Sequence, residues 1–281
     1  NHESAGENWH WAPASALLAQ LAEDYAVNTD ARSTLVAGDW NALAGPDGPF
    51  ARWRGEGGFG EALRRSWEAS EGVSETDEGT VLSRMARWRR DAAFVTARVP
   101  VHALRNWTRD DQRVAGRPEA WFTVRGFRVR IPGREVAAWD QPHLAPTGVG
   151  ACTLLTQQRR GVLHLRLQGS LEIGFPHHLE LGPTVQTPHP SANGHAAAWA
   201  CLAADDQATT EHVAAMQSDE GGRFYRSRAR YAVREIREDV APPDDAGGCW
   251  VTLRQAQRLA TSPGVLTNEA RSALSLLLAY L

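Results

Sequence analysis

The spacing of apolar residues changes several times along the chain, and each change predicts an element. Leu17, Leu18, Leu21 and Tyr25 recur at helical spacing within residues 13–25, and the stretches 252–260 and 268–280 are helix-like in the same way. Thr252 stands where an N-cap hydroxyl belongs. Val81, Leu82, Met85 and Trp88 form an apolar stripe, and the other face carries Arg84, Arg87, Arg89, Arg90 and Asp91, the pattern of a packed surface helix. Another helix is expected at about 208–217. From Trp121 the period shortens to two: Trp121, Thr123 and Arg125 share one face, Phe122 and Val124 the other, and Gly126 predicts a bend or hairpin between two strands. Further strands are expected at 161–168, 178–186 and 223–236. Strands and helices that mix without strict alternation predict an α+β or mixed α/β fold over a doubly wound one. No G-x-G-x-x-G follows any of these strands, which argues against a dinucleotide cofactor.

The first helical segment repeats the last. Trp11 corresponds to Trp250, Ala31 to Ala270, Arg32 to Arg271, Ser33 to Ser272 and Leu35 to Leu274, with Asp30 facing Glu269, all at one offset. A recurring unit is not one unbroken domain. Residues 1–40 are therefore expected to be the helical tail of a preceding module, and 84–281 a complete module. Residues 41–83 read as a linker, because 38–60 are dense in Gly and Pro and Glu71 to Glu78 reads as a solvated acidic loop. Asn1, which is not Met, is expected to stand where a longer chain is cut.

Composition bounds the class. A chain of 281 residues with 42% hydrophobic residues, 22% charged residues and a net charge of −3 is an ordinary globular protein with no pull toward nucleic acid. The apolar run from Leu274 to Leu281 is far short of the roughly 20 residues of a bilayer helix, and no signal peptide opens the sequence, so no membrane contact is expected. Cys152, Cys201 and Cys249 lack C-x-x-C spacing, which predicts neither a disulfide framework nor a zinc ribbon and fits a reducing cytoplasm. All 30 basic residues are Arg. The absence of Lys excludes a Schiff base, a pyridoxal phosphate anchor and a P-loop Lys, whereas Arg grips phosphate with paired hydrogen bonds.

On a strand over 223–236, Arg226, Arg228 and Arg230 share one face at steps of about 7 Å. Such a rail suits a diphosphate, or else a solvated face neutralised by acidic neighbours such as Asp219 and Glu220. His177, His178, His189 and His195 crowd one region but match no familiar metal spacing, so no metal is expected. Trp121, Trp139 and Trp199 could stack on a base or fill the core. Gln141, Gln157 and Gln186 are better placed to pair with sugar hydroxyls or a base edge.

Several strings in order carry a resemblance: WDQPH (139–143), LHLRLQGSLEIG, LELGPTVQ, AAMQSDEGGRFYRSRARYAV, CWVTLRQAQRL and LTNEARSALSLL. Together they are similar to a module of the NDP-hexose 2,3-dehydratases over roughly residues 84–281, and residues 11–38 resemble the tail of a preceding module. The resemblance implies two tandem Nudix-like modules, each a mixed, largely antiparallel sheet flanked by helices, and a homodimer is expected. It further implies a lyase of antibiotic deoxysugar pathways that removes the C2 proton and C3 hydroxyl of a dTDP-4-keto-6-deoxyhexose, giving an enol that becomes a 3,4-diketo sugar. No redox cofactor or catalytic metal is implied, and no Nudix box G-x5-E-x7-R-E is present. Carried onto this sequence, Glu172 is the candidate base, with Tyr225 or Tyr231 as the acid. Trp139, Gln141, Gln157, Thr184, Gln186, Gln217, Ser218, Arg228 and Arg230 are the candidate substrate-binding residues. Where the family has Lys in A-K-V-E-P-G this chain has Ser170, and K-R-N-R-N is replaced by Ser227-Arg228-Ala229-Arg230-Tyr231. These departures leave open a member recruited to dehydrate or cyclise another natural-product intermediate, and a non-catalytic nucleotide-sugar-binding module.

Overall fold

In the computed structural model, residues 10–93, 95–117, 120–133, 135–187, 194–243 and 247–281 are described, the backbone alone at 194–196. The N-terminal part is helical: α1 (Ala14–Ala19), α2 (Thr29–Ala37), α3 (Trp40–Ala44), α4 (Gly58–Glu68) and α5 (Glu78–Asp91). A small antiparallel sheet follows, β1 (Trp107–Arg109), β2 (Arg113–Gly116), β3 (Phe122–Arg130) and β4 (Ala138–Pro146), in sequential order. The remainder builds a larger sheet from β5 (Gly150–Arg159), β6 (Val162–Leu171), β7 (Leu179–Gly182), β8 (Val185–Thr187), β9 (Thr209–Ser218), β10 (Arg228–Ile236) and β11 (Gly248–Val251). Helix α6 (Gly194–Ala204) lies between β8 and β9, and α7 (Leu253–Thr261) and α8 (Asn268–Ser275) close the chain with a 3-10 turn over Leu276–Tyr280.

The larger sheet runs β11-β6-β5-β10-β9, with β7 on β6 and β8 on β5. Only β5 and β10 pair in parallel. The sheet is thus mixed and largely antiparallel, as expected. Alternation sorts its side chains: Cys152, Leu154, Leu163, Leu165, Leu167, Val233 and Val251 join one core with residues of α2, α4, α7 and α8. The opposite face holds a second core of Leu155, Val185, Ile236 and Trp199, the last carried by α6. Trp199 is core.

The two copies of the repeat begin helices at matching places. Ala14 and Leu253 open α1 and α7, Thr29 and Asn268 open α2 and α8, and each pair is related by the offset that takes Trp11 to Trp250. Asn28 caps α2 by accepting from the Ala31 N–H at 2.7 Å, and Thr267 caps α8 by accepting from the Ala270 N–H at 3.0 Å. Thr252 and Gln255 form a capping box on α7. The repeated arginines also behave alike, Arg32 donating to the Val27 carbonyl and Arg271 to that of Leu266. Flanking residues differ: Trp11 is 87% exposed, whereas Trp250 sits in β11 against Trp199 and beneath the Arg159 guanidinium.

Four expectations are corrected. Residues 41–83 are packed: Trp40 stacks on Trp67 at 5.2 Å, Phe50 and Leu63 are fully buried, and Ser66 donates to the Leu163 carbonyl while accepting from the Leu253 N–H. A burst of Gly and Pro marked turns between helices here, not an unpacked linker. The acidic stretch 71–78 likewise buries Ser74 and Thr76, which bond Gln255, and Glu75 pairs with Arg159. Residues 208–217 form β9, because Thr209, Thr210 and Val213 find a full-length partner in β10 that outweighs the helical preference of their Ala and Met neighbours. Finally, β3 runs through Gly126 without a bend; its N–H is satisfied at 3.0 Å by the Gln112 carbonyl.

Candidate functional site

The register of the larger sheet places several sequence-selected residues on one face. Gln186 of β8 lies opposite Cys152, Cys152 beside Tyr231 of β10, and Tyr231 opposite Ala215 of β9. Two residues along, and so on the same face, Gln217 pairs with Ala229. Side chains of directly paired residues share a face, so Gln186, Tyr231 and Gln217 line one end of the sheet, beneath the first turn of α8. Gln217 is 1% exposed, and among the described residues neither of its amide atoms has a hydrogen-bond partner; the Gln186 carbonyl oxygen is also buried without one among them. Buried amides left unpaired cost about 1–3 kcal/mol each, so their retention is informative.

Carboxyl groups gather over the same end. Glu172 follows directly after β6, and its N–H donates to the His178 carbonyl at 3.0 Å. Burial pushes the carboxyl of Glu269, in the first turn of α8, above its ordinary range, and the nearby charges of Glu172 and Asp219 push the same way. Glu180 is raised by burial too, with Glu172 again adding to the shift and Arg271 and Arg89 opposing it. Asp219 accepts from the Ser227 hydroxyl at 2.5 Å, which anchors the loop before β10. Tyr231 is buried, shares a hydrogen bond with Cys152, and is held well above the usual phenol range chiefly by desolvation. Cys152 is raised for the same reason.

Glu269 was not singled out from the sequence. Its signal was the acid retained in the repeat opposite Asp30, but only the fold brings the first turn of α8 over the sheet. Because its folded pKa lies above the unfolded value near 4.5, Glu269 adds stability below that pH and loses it as pH rises through the folded value. Glu269→Gln is therefore expected to flatten the melting temperature between pH 4.5 and 7 and to leave it unchanged or higher at pH 7. A steeper pH dependence in that variant would contradict the burial argument.

Other selected residues lie elsewhere. Tyr225 precedes β10 and packs against Phe127 at 4.5 Å, on the small sheet. There the Trp139 indole donates to Gln141, whose amide nitrogen lies 2.6 Å from the Gly222 carbonyl and 2.6 Å from His143 Nε2. Trp121 stacks edge-on against Phe122 on that sheet. Thr184 and Gln157 have their polar atoms committed: Thr184 donates to the Arg166 carbonyl and accepts from the Leu155 N–H, and Gln157 bonds Val240 and Arg159 at the far end of β5. Ser218 ends β9 opposite Arg228.

The Arg rail is shorter than the sequence implied. Arg226 lies before β10 with φ 54° and stacks over Tyr225, and Arg230 is neutralised by Glu211 at 2.5 Å. Arg228 and Arg230 do share the exposed face. His177 and His178 sit on the turn after β6; His189 and the side chain of His195 lie outside the described residues. Among the described residues no group of three His, Cys, Asp or Glu could hold a metal ion, and no helix is long and apolar enough to cross a membrane.

The family model described as NDP-hexose 2,3-dehydratase matches residues 78–277, from the first turn of α5 to beyond α8. The chain belongs to the NDP-hexose 2,3-dehydratase family. It is 32% identical over 275 residues to a dTDP-4-dehydro-6-deoxy-alpha-D-glucopyranose 2,3-dehydratase of Saccharopolyspora spinosa, covering 93% of this chain and 54% of the relative. It is 30% identical to a Streptomyces violaceoruber protein of the same name, covering 96% of this chain and 57% of that one. This NDP-hexose 2,3-dehydratase family member thus spans little more than half the length of these relatives. Among solved structures, Ap4A hydrolase of C. elegans matches 40% of the chain and 86% of its own length at a TM-score of 0.29 and 13% identity. That likeness is too slight to carry an argument.

Proposed function

We propose that this chain forms a catalytic part of a dTDP-4-keto-6-deoxyhexose 2,3-dehydratase, working at the sheet end beneath α8. The observation that carries the reading is the pairing of orphaned buried amides, Gln217 and Gln186, with the carboxyl cluster of Glu172, Glu269 and Asp219. Dehydration across C2–C3 beside a C4 ketone needs a base at C3, an acid at the C2 oxygen and neutral donors around a sugar. The proton that the C4 ketone makes acidic is the one on C3, so the expectation from the sequence is inverted: in this reading the Glu172 carboxylate takes the C3 proton. The C2–C3 double bond forms as the C2–O bond breaks, and the C2 hydroxyl leaves as water with the proton of the Glu269 carboxyl group, which burial keeps protonated to higher pH. The product is the enol of a 3,4-diketo sugar. Sugar hydroxyls supply the partners that the Gln217 and Gln186 amides lack. Tyr231, enclosed with Cys152, supports the site from below; Glu269, not Tyr231, is the acid in this reading.

Gln217→Leu tests the binding half. Removing an unpaired buried amide is expected to leave stability unchanged or raise it by about 1 kcal/mol, while KM for the dTDP-4-keto sugar rises by about tenfold. Steady-state kinetics beside thermal unfolding read both. An unchanged KM would remove the sheet end from the substrate site.

A further inference from the structure

The small sheet carries a charge arrangement that the dehydration chemistry leaves unused. In register, Arg113 of β2 stands directly opposite Arg125 of β3, and Arg125 directly opposite His143 of β4. Like charges facing each other across strands repel, and such stacks persist where an anion or carboxylate lies between them. Arg113 has Asp110 at 3.2 Å. Arg125 reaches only the Thr123 hydroxyl, at 3.4 Å, and has no carboxylate partner among the described residues. Both arginines line an open cleft of about 1030 Å³ with Gln141 and Tyr225; Asp111 lines it too, and the cleft's other two carboxylates are taken, Asp110 by Arg113 and Asp140 by Arg128.

His143 adds an independent observation. An indole N–H only donates, so the Trp139 bond fixes the Gln141 oxygen as acceptor and its nitrogen as donor. That nitrogen donates to the Gly222 carbonyl and to His143 Nε2. The imidazole proton therefore resides on Nδ1, which is buried and meets no acceptor. His143 is 8% exposed. A guanidinium without a carboxylate and an imidazole N–H without an acceptor thus sit opposite each other on one face. The 219–227 segment that packs on this face, through Tyr225 N–H to the Leu144 carbonyl at 2.8 Å, also carries Asp219 to the carboxyl cluster.

We infer that this cleft seats the diphosphate of the nucleotide sugar, with Arg125 and Arg113 gripping its oxygens beside Gln141, which its contacts to Trp139 and His143 hold in place. The inference rests on the proposed dehydratase reading for the identity of the ligand, and it moves the phosphate contact from β10 to the small sheet. Arg230, already paired with Glu211, is left as a structural cation. An anion in the cleft supplies the acceptor that Arg125 lacks.

Calorimetric titration of the full chain with dTDP, inorganic diphosphate, inorganic phosphate and thymidine tests it. The wild type is expected to bind dTDP and diphosphate, and phosphate more weakly. Arg125→Ala should weaken dTDP and diphosphate by about 10- to 100-fold and leave thymidine unchanged. Arg125→Lys should restore part of the loss, since it returns the charge without the paired donors. Arg90→Ala, on the exposed surface of α5, serves as the control and should bind like the wild type. Because Arg125 is exposed, unfolding is not expected, and an unchanged melting temperature verifies it. Wild-type dTDP affinity in Arg125→Ala would overturn the seat, as would a loss confined to Arg228→Ala, equal binding of phosphate and diphosphate, or no binding of either by the wild type. If the seat behaves as expected but no dTDP-4-keto-6-deoxyhexose is dehydrated, the reaction reading fails and the diphosphate site stands. Turnover with an indifferent Arg125 would mean the reverse.

Discussion

Arg32→Ala is expected to destabilise the chain by about 3–5 kcal/mol, the largest stability loss that any single polar side chain here should produce. Arg32 is fully enclosed between α2 and α8. Its guanidinium donates to the carbonyls of Val27 at 2.9 Å and Leu21 at 2.8 Å and to the Ser275 hydroxyl at 3.1 Å, tying the first helix pair to the last. Burial lowers its pKa from the ordinary arginine value to about 10, so the folded state gives up this proton before the unfolded chain does. The penalty for burying the charge is present at neutral pH and is relieved only as pH rises above about 10 toward the ordinary arginine value. The hydrogen bonds outweigh it. Alanine removes the donors, strands two carbonyls and leaves a void where the guanidinium stood. Urea unfolding at pH 7 should show the loss in its midpoint, and a change under 1 kcal/mol would mean that the two helix pairs are held by apolar contact alone.

The second large effect is catalytic. Glu172→Gln keeps the size of the side chain and its place after β6 but removes the base, so turnover of a dTDP-4-keto-6-deoxyhexose should fall by about 100-fold or more while dTDP binding is kept. The Glu269 carboxyl feels the Glu172 charge, which helps to raise it. Neutralising Glu172 should therefore also lower the pKa of Glu269, and the basic limb of any residual pH–rate profile should move to lower pH. A merely structural Glu172 would alter stability while turnover is kept. Full activity in Glu172→Gln would exclude it as the base and turn attention to Asp219, since Asp140 lies in an exposed bidentate pair with Arg128 that holds its carboxyl below the usual range.

How much of this was legible beforehand differs from residue to residue. The strands at β6 and β10 and the capped start of α7 could be read from alternation and from Thr252, because those signals depend on neighbours within a few positions. The repeat was readable for a similar reason, since it compares the chain with itself; in the structure the caps Asn28 and Thr267 stand at corresponding places before α2 and α8. Strand β9 was misread because its helical preference is local and its strand partner is not. The helices of 41–83 were hidden by glycines that serve as turns, five of them at positive φ between Gly45 and Gly58.

The candidate site divides along the same line. The sequence by itself determined the family strings, the absence of Lys and therefore of its chemistry, and the types of side chain available: carboxylates, amides and guanidinium groups. Only the tertiary structure decided which of them meet. Gln217, Gln186 and Tyr231 come together through cross-strand register, and Glu269 joins them through the docking of α8. Gln157 and Thr184, of kinds equally suited to bind sugar, have their hydrogen bonds taken by the backbone and by Arg159. The physical reason is that side-chain chemistry is a property of one residue, whereas burial, pairing and the presence or absence of a hydrogen-bond partner are properties of segments brought together from distant parts of the chain.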